Sequence, residues 1–325
     1  MVNRIGVPIG AGLAAALLFV VTTKGTAIAM ALAYLAPLPI MIATLGWGAL
    51  GGAFACGLAC ACVAAVVEPL SGLLFALTIA LPGWALASFA ILPGARLPWR
   101  RKGAAGPEWI SVGAIVTLAA AFGALIGLGA LATLIVVYGG YDKGLQSFAD
   151  ALEPAIEEAT GGAAILPEGE SANDFALSIV RLSPAAIAGS TLLMFCVNLY
   201  AAARSAALSH RLRRPWPDLP SQFALPPALA AVALAALALA FALPAPASQL
   251  AWIVAGALGA AFVLQGLAVL HALSRGVWMR PGLLAALYFC CLVRSNWTLP
   301  AVAIVGLIES FASLRARAAA SKSKI

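Results

Sequence analysis

The chain is 325 residues long, with 63% apolar and only 10% charged residues, against roughly 25% charge in an ordinary soluble domain. Its 19 basic and 12 acidic side chains cannot coat a water-soluble surface, and a mean hydropathy of +1.02 agrees. This composition excludes intrinsic disorder, a secreted disulfide scaffold and a nucleic-acid-binding domain, and it predicts an all-α, polytopic transmembrane helical bundle.

Crossing about 30 Å of hydrocarbon takes roughly 20 apolar residues in a helix, because every backbone polar group must be satisfied within the segment. In chain order, apolar runs of that length lie at 5–22, 26–45, 47–67, 70–92, 109–138, 183–208, 223–243 and 248–273. They predict eight full spans. Two shorter runs, 282–293 and 298–312, follow Arg280 and are split by Arg294, Ser295, Asn296, Trp297 and Pro300; they read as a C-terminal hairpin of shorter helices, fully spanning or re-entrant. The organisation is 1–138 as N-terminal membrane helices, 139–181 as an acidic extracytoplasmic segment, 182–314 as C-terminal membrane helices and 315–325 as a basic tail.

The first run follows Arg4 and ends near an Ala27-Ile28-Ala29 triplet, like a signal peptide. It is longer than a signal's apolar region and leads directly into more membrane sequence, so it reads as an uncleaved span. Pro37 and Pro39 break the second run, either as a bend before Gly46-Trp47-Gly48 or as a gap whose freed carbonyls meet a ligand. In the third, Gly48, Gly52, Cys56 and Cys60 form a face without bulk. Gly123 and Gly127 repeat the device in the fifth run, and Gly256, Gly259, Val263 and Gly266 in the eighth; these are small-residue packing seams. The six cysteines all fall in apolar runs without metal-like spacing and read as small hydrophobes.

Between the fifth and sixth runs, Leu145, Phe148, Leu152 and Ile156 recur at helical spacing among Asp150, Glu153, Glu157 and Glu158. This predicts an amphipathic helix on the outer membrane surface followed by a loop around Pro167, serving for solvation or as a lid. Clusters at Arg96, Arg100, Arg101 and Lys102, at Arg204, Arg211, Arg213 and Arg214, and in the basic tail belong on the cytoplasmic side. The span count then puts both termini in the cytoplasm of a bacterium, with the protein in its inner membrane.

Polar groups inside membrane helices are candidates for function. Thr191, Asn198 and Ser205 are seven apart on one stripe of the sixth span. Gln265, His271 and Arg275 lie toward the end of the eighth, and Glu309 is the sole acid of the last helix, able to pair with Arg275, Arg294 or Arg315. Asn198, Gln265, His271 and Glu309 are the expected ligand-lining residues. No P-loop, HExxH, GxSxG triad or dinucleotide fingerprint is present. No catalytic residue, metal site or cofactor is therefore expected, and the protein is read as a non-enzyme.

The run Tyr34-Leu35-Ala36-Pro37-Leu38-Pro39-Ile40 with Leu45-Gly46-Trp47-Gly48, the stretch Leu264-Gln265-Gly266-Leu267-Ala268-Val269-Leu270-His271, and the ending from Gly306 through Glu309 to Arg315 resemble the YybS-like bacterial predicted membrane proteins (domain of unknown function 2232). That resemblance spans nearly the whole chain and implies a multi-pass inner-membrane protein. The first half is more remotely similar to the substrate-capture components of energy-coupling-factor transporters, which dock on an ATP-driven module; those have about six helices and this chain has more. The expected partners are the bilayer, a small-molecule solute and a membrane protein, with no nucleic acid. Two readings follow: small-molecule binding or transport, with a cavity among the second, sixth and eighth spans and the final hairpin, or a scaffold that binds other membrane proteins through its small-residue faces.

Overall fold

A computed structural model describes residues 2–93, 109–160 and 171–322. The basic cluster at 96–102 with Glu108, the loop around Pro167 and Lys324 lie outside the described residues. Among those described there is no strand, only an isolated bridge between Pro93 and Trp109. Among the described residues, seven helical units are long and apolar enough to cross a membrane, or eight if Ser295–Ala312 and Leu314–Ala320, bent by 67°, count as one.

The N-terminal part is α1 (Val2–Val20), α2 (Ala27–Ala33), α3 (Pro37–Trp47), α4 (Ala49–Val66), α5 (Pro69–Phe75) and α6 (Leu81–Ala90). The proline pair breaks the second span as its chemistry requires: α2 ends in a turn at 34–36, and Pro37 opens α3 at a position where its missing N–H costs nothing. Gly48, at φ +92°, turns the chain between α3 and α4. Pro82 cannot donate to the carbonyl four residues back, and just before it the helix widens into a π segment, Ala76–Ala80, that joins α5 to α6.

The C-terminal part is α7 (Val112–Tyr138), α8 (Tyr141–Thr160), α9 (Ala172–Leu208), α10 (Leu219–Gln222), α11 (Ala228–Ala242), α12 (Ala247–Leu273), α13 (Arg280–Val293), α14 (Ser295–Ala312) and α15 (Leu314–Lys322). Two elements differ from the sequence reading. The 223–243 run yields a helix of only 15 residues, because Pro226 and Pro227 delay its start and Leu243-Pro244 ends it. The sixth span, expected to start at 183, begins at Ala172 under a capping box between Ser171 and Asp174 and runs for 37 residues. At 1.5 Å per residue it is about 55 Å long, well beyond the hydrocarbon thickness. Its first turns therefore project from the membrane, and α8 packs along them. Leu145, Ala149 and Ile156 are buried, packed with Val180 and Ala176 of α9, so most of the apolar stripe of α8 lies on that helix, while Phe148 stays exposed beside the Tyr138 ring.

The main core runs between α3, α6, α7, α9 and α12, with Met41, Leu86, Ala119, Phe195 and Phe262 at its centre. A smaller one joins α1, α4 and α5, where the Phe19 and Phe75 rings lie 4.8 Å apart. Lipid tails are as apolar as leucine, so close backbone approach, rather than escape from water, holds such helices together. The small residues supply it. A Cβ on Gly127 would lie 2.6 Å from the Pro184 carbonyl oxygen, and one on Gly123 would strike that of Ala188, so α7 and α9 touch backbone to backbone. Gly256 meets Ala185 across α9 and α12 in the same way, and Gly266 and Gly306 interlock α12 with α14 against the Val302 and Phe262 carbonyls. Gly52 seats Thr44, whereas nothing lies within 4 Å of a Cβ on Gly259.

This contrast yields a measurement. Gly266→Ala should destabilise the detergent-solubilised protein by about 1–3 kcal/mol, the usual cost of overpacking. Gly259→Ala should leave the unfolding temperature unchanged or slightly raised, since alanine favours the helix by about 1 kcal/mol. Equal shifts for both would show that the seam between α12 and α14 does not set stability.

Candidate functional site

Three of the four polar residues singled out in the sequence serve the protein's own backbone. Asn198 of α9 donates from Nδ2 to the Tyr34 carbonyl at 2.8 Å, inside the turn where the proline pair breaks the second span, and also to the Met194 carbonyl at 2.8 Å. Gln265, 1% exposed, accepts the Leu225 N–H at 2.6 Å and donates to the Gly306 carbonyl at 2.7 Å and to Ser310 Oγ at 3.0 Å. It ties the segment ahead of Pro226 to α12 and α14. Glu309 accepts from Arg315 Nε at 2.8 Å, and Arg315 donates on to the Pro220 carbonyl at 2.9 Å, holding the bend into α15 against α10. Of the three partners open to Glu309 in the sequence, the structure selects Arg315.

His271 is placed differently. Its Nδ1 lies 2.9 Å from the Leu267 carbonyl, and its Nε2 lies 3.4 Å from the Tyr288 hydroxyl of α13. Both rings line a cavity of about 490 Å³ whose other walls are Val112 and Val116 of α7, Cys196 and Tyr200 of α9, Leu264 of α12, and Trp216 and Phe223 from the segment after α9. The fifth, sixth and eighth spans and α13 thus enclose it. No residue of the second span lines it, nor do Asn198, Gln265 or Glu309. A second, more polar cavity of about 380 Å³ adjoins it and shares Val112, Arg214, Trp216 and Pro217. Trp109, Ser111, Asp218 and Gln222 complete that wall.

Arg214 stands between the two. Arg211 and Arg213 beside it are exposed, but Arg214 is only 7% exposed. It donates from Nη1 to the Ala90 carbonyl at 3.0 Å, at the end of α6 where carbonyls lack intrahelical partners. Burial pushes its pKa downward, although a guanidinium remains charged in proteins. Trp109 and Trp216, on the same wall, each hold a buried indole N–H with no acceptor among the described residues. Asp218 is gripped by Arg275 through two contacts of 2.6 and 2.7 Å. That grip, with help from Ser221, holds its carboxyl at about 2, below the ordinary 3.8.

Basic groups from separate elements converge here. Arg211 lies 4.7 Å over the Trp47 ring, and with Arg214 at Ala90, Arg275 at Asp218 and Arg315 at Pro220 it marks one end of the bundle. Arg214, Trp216, Trp109 and Tyr288 were not picked out from the sequence. An arginine within a basic loop reads as a topological anchor, and the only hint of burial was its place before Pro215-Trp216-Pro217. Among the described residues no three of His, Cys, Asp and Glu come together as a metal site.

The family comparison fits this architecture. The family described as predicted membrane protein (DUF2232) matches residues 13–310, and the chain belongs to it. No curated protein and no solved structure matches it.

Two consequences are measurable. Gln265→Leu strands a buried Leu225 N–H and should cost about 1–3 kcal/mol. Asn198→Leu removes an Oδ1 that is itself without a partner and should cost less; the reverse order in thermal unfolding would contradict these roles. Asp218, with its folded pKa depressed to about 2 from 3.8, contributes its tether fully above the unfolded value and loses it as pH falls through the folded one. Amide exchange at 221–223, corrected for intrinsic rates, should therefore be constant from pH 8 to pH 5. In Asp218→Asn it should be faster throughout. A pH-dependent loosening of the wild type in that range would show that the pair does not hold α10.

Proposed function

We propose, taking membership of that family as the premise, that the protein binds a small and mostly apolar molecule in the cavity between α7, α9, α12 and α13, as a non-enzymatic binding or transport protein of the bacterial inner membrane. The observation that carries this reading is the cavity itself. Its volume of about 490 Å³ falls within the roughly 300–1,000 Å³ of small-molecule sites. Its walls are largely apolar, and its charged group, Arg214, stands at one end. On this reading the basic end of the bundle faces the cytoplasm, as the distribution of arginine favours.

Access runs through the flank of the molecule. Val197, Tyr200 and Tyr288 line the cavity and are all exposed on the outer surface, so a ligand reaches it from within the bilayer. Helix α13 forms that wall while burying none of its own residues, which suits an element that moves aside. Against the scaffold reading stands the use of the small-residue seams: Gly123, Gly127, Gly256 and Gly266 already face other helices of the same chain.

Native mass spectrometry of protein released from mild detergent tests this proposal. The wild type should carry a bound molecule of defined mass, and Ala268→Trp, which fills the cavity from α12, should lose it while keeping the wild-type helix content and elution. An adduct that is equally abundant in both, or none in either after incubation with amphiphiles, would refute the proposal.

A further inference from the structure

The structure carries the identity of the ligand one step further, on the premise that the cavity binds a small molecule. Burying a cation costs several kcal/mol unless something compensates for it. No carboxylate among the described residues lies within ion-pair distance of Arg214, and its one hydrogen bond goes to a neutral carbonyl. Any donor could cap Ala90. A guanidinium has five N–H groups, more than Ala90 uses, and Arg214 lines both the polar and the apolar cavity.

The indole N–H groups of Trp109 and Trp216 add two more donors without acceptors among the described residues on that wall. These donors come from two separate segments, the one just before α7 and the one after α9, and both line the second cavity beside Arg214. A carboxylate offers two coplanar oxygens, whereas a phosphate offers three or more directed outward and can satisfy donors that converge from different elements. The one acid on the wall, Asp218, is neutralised by Arg275. Tryptophan is also the residue that membrane proteins place at headgroup depth.

We propose that the occupant is a membrane lipid whose head is a terminal, uncapped phosphate, held by Arg214 beside Trp109 and Trp216, with its hydrocarbon chain lying between α9 and α12 toward Tyr288. The cavity holds the head and the first part of a chain. The remainder leaves between Val197, Tyr200 and Tyr288 into the bilayer.

Three probes with the same palmitoyl chain test this on the full-length protein in a nonionic detergent: lysophosphatidic acid, lysophosphatidylcholine and palmitate. Lysophosphatidic acid should bind the wild type about ten- to a hundredfold more tightly than either of the others, as expected for charge-assisted hydrogen bonds. Arg214→Gln should erase that preference by weakening lysophosphatidic acid alone, Arg214→Lys should retain part of it, and Ala268→Trp should weaken all three. If the three probes bind the wild type alike and Ala268→Trp abolishes them all, the cavity reading stands and the phosphate inference falls. If palmitate equals lysophosphatidic acid, the head is a carboxylate and the inference likewise falls; if Ala268→Trp changes nothing, both fall. Should Arg214→Gln fail to fold, the wild-type ranking still decides, together with photocrosslinking by a lysophosphatidic acid carrying a diazirine in its chain. Crosslinks should map to 196–200 and 264–271, and crosslinks confined to other helices would overturn the assignment.

Discussion

A backbone N–H or carbonyl released from a helix inside hydrocarbon has no water to turn to and must be satisfied by the protein. Most of the polar architecture of this chain follows from that constraint. The sequence breaks its own helices with proline at 37–39, 82 and 226–227, and breaks of this kind strand backbone groups. Asn198 answers the first from a helix 164 residues away. Gln265 answers the last, across 40 residues. Arg214 does the same for the open end of α6. Buried polar side chains are thus placed opposite interruptions, and each fastens an irregular segment to a regular helix.

The seams of small residues are the counterpart of these fastenings. Where Gly123, Gly127, Gly256, Gly266 and Gly306 bring backbones together, α7, α9, α12 and α14 form a rigid stack with little side chain between them. Bulk returns where the stack opens. Near the basic end, α7 and α9 turn the side chains of Val112, Val116, Cys196 and Tyr200 to the cavity, while Gly113 of α7 meets the Ala224 backbone instead of α9. A tight seam and an adjoining void thus share the same helices, and what separates them is which neighbour each glycine meets.

Much of this fold was legible in the residues. Charge clusters bounded the spans, and the uninterrupted apolar runs of α7 and α12 became helices of 27 residues each. Legibility failed where one pattern suits two environments. The stripe of Leu145, Leu152 and Ile156 would serve equally on a lipid surface or on another helix, and only the length of α9 decides for the helix. The run at 223–243 satisfied a hydropathy count, yet its flanking prolines, visible all along, outweighed apolarity. At the site, sequence showed that Asn198, Gln265 and Glu309 were polar groups in apolar surroundings but not which distant backbone each would meet. Of the four, only His271 lines the cavity, and that cavity lies between other spans than the residues suggested.

Arg214 was the least legible, because burial is a tertiary property that composition cannot express. Its neighbours Arg211 and Arg213 belong to the same basic run and are exposed, so local sequence does not separate the three. What separates them is the turn through Pro215, Trp216 and Pro217, which carries the chain back over the mouth of the stack toward α10. Asn198, Gln265 and Glu309 spend their polarity mainly on groups within the chain, whereas Arg214 makes one such bond among the described residues and lines both cavities. An arginine that only closed a helix end would need neither its charge nor its burial there. Its position instead gives this end of the bundle a fixed positive charge bordering a largely apolar chamber, and the packing of the rest of the molecule holds that charge in place.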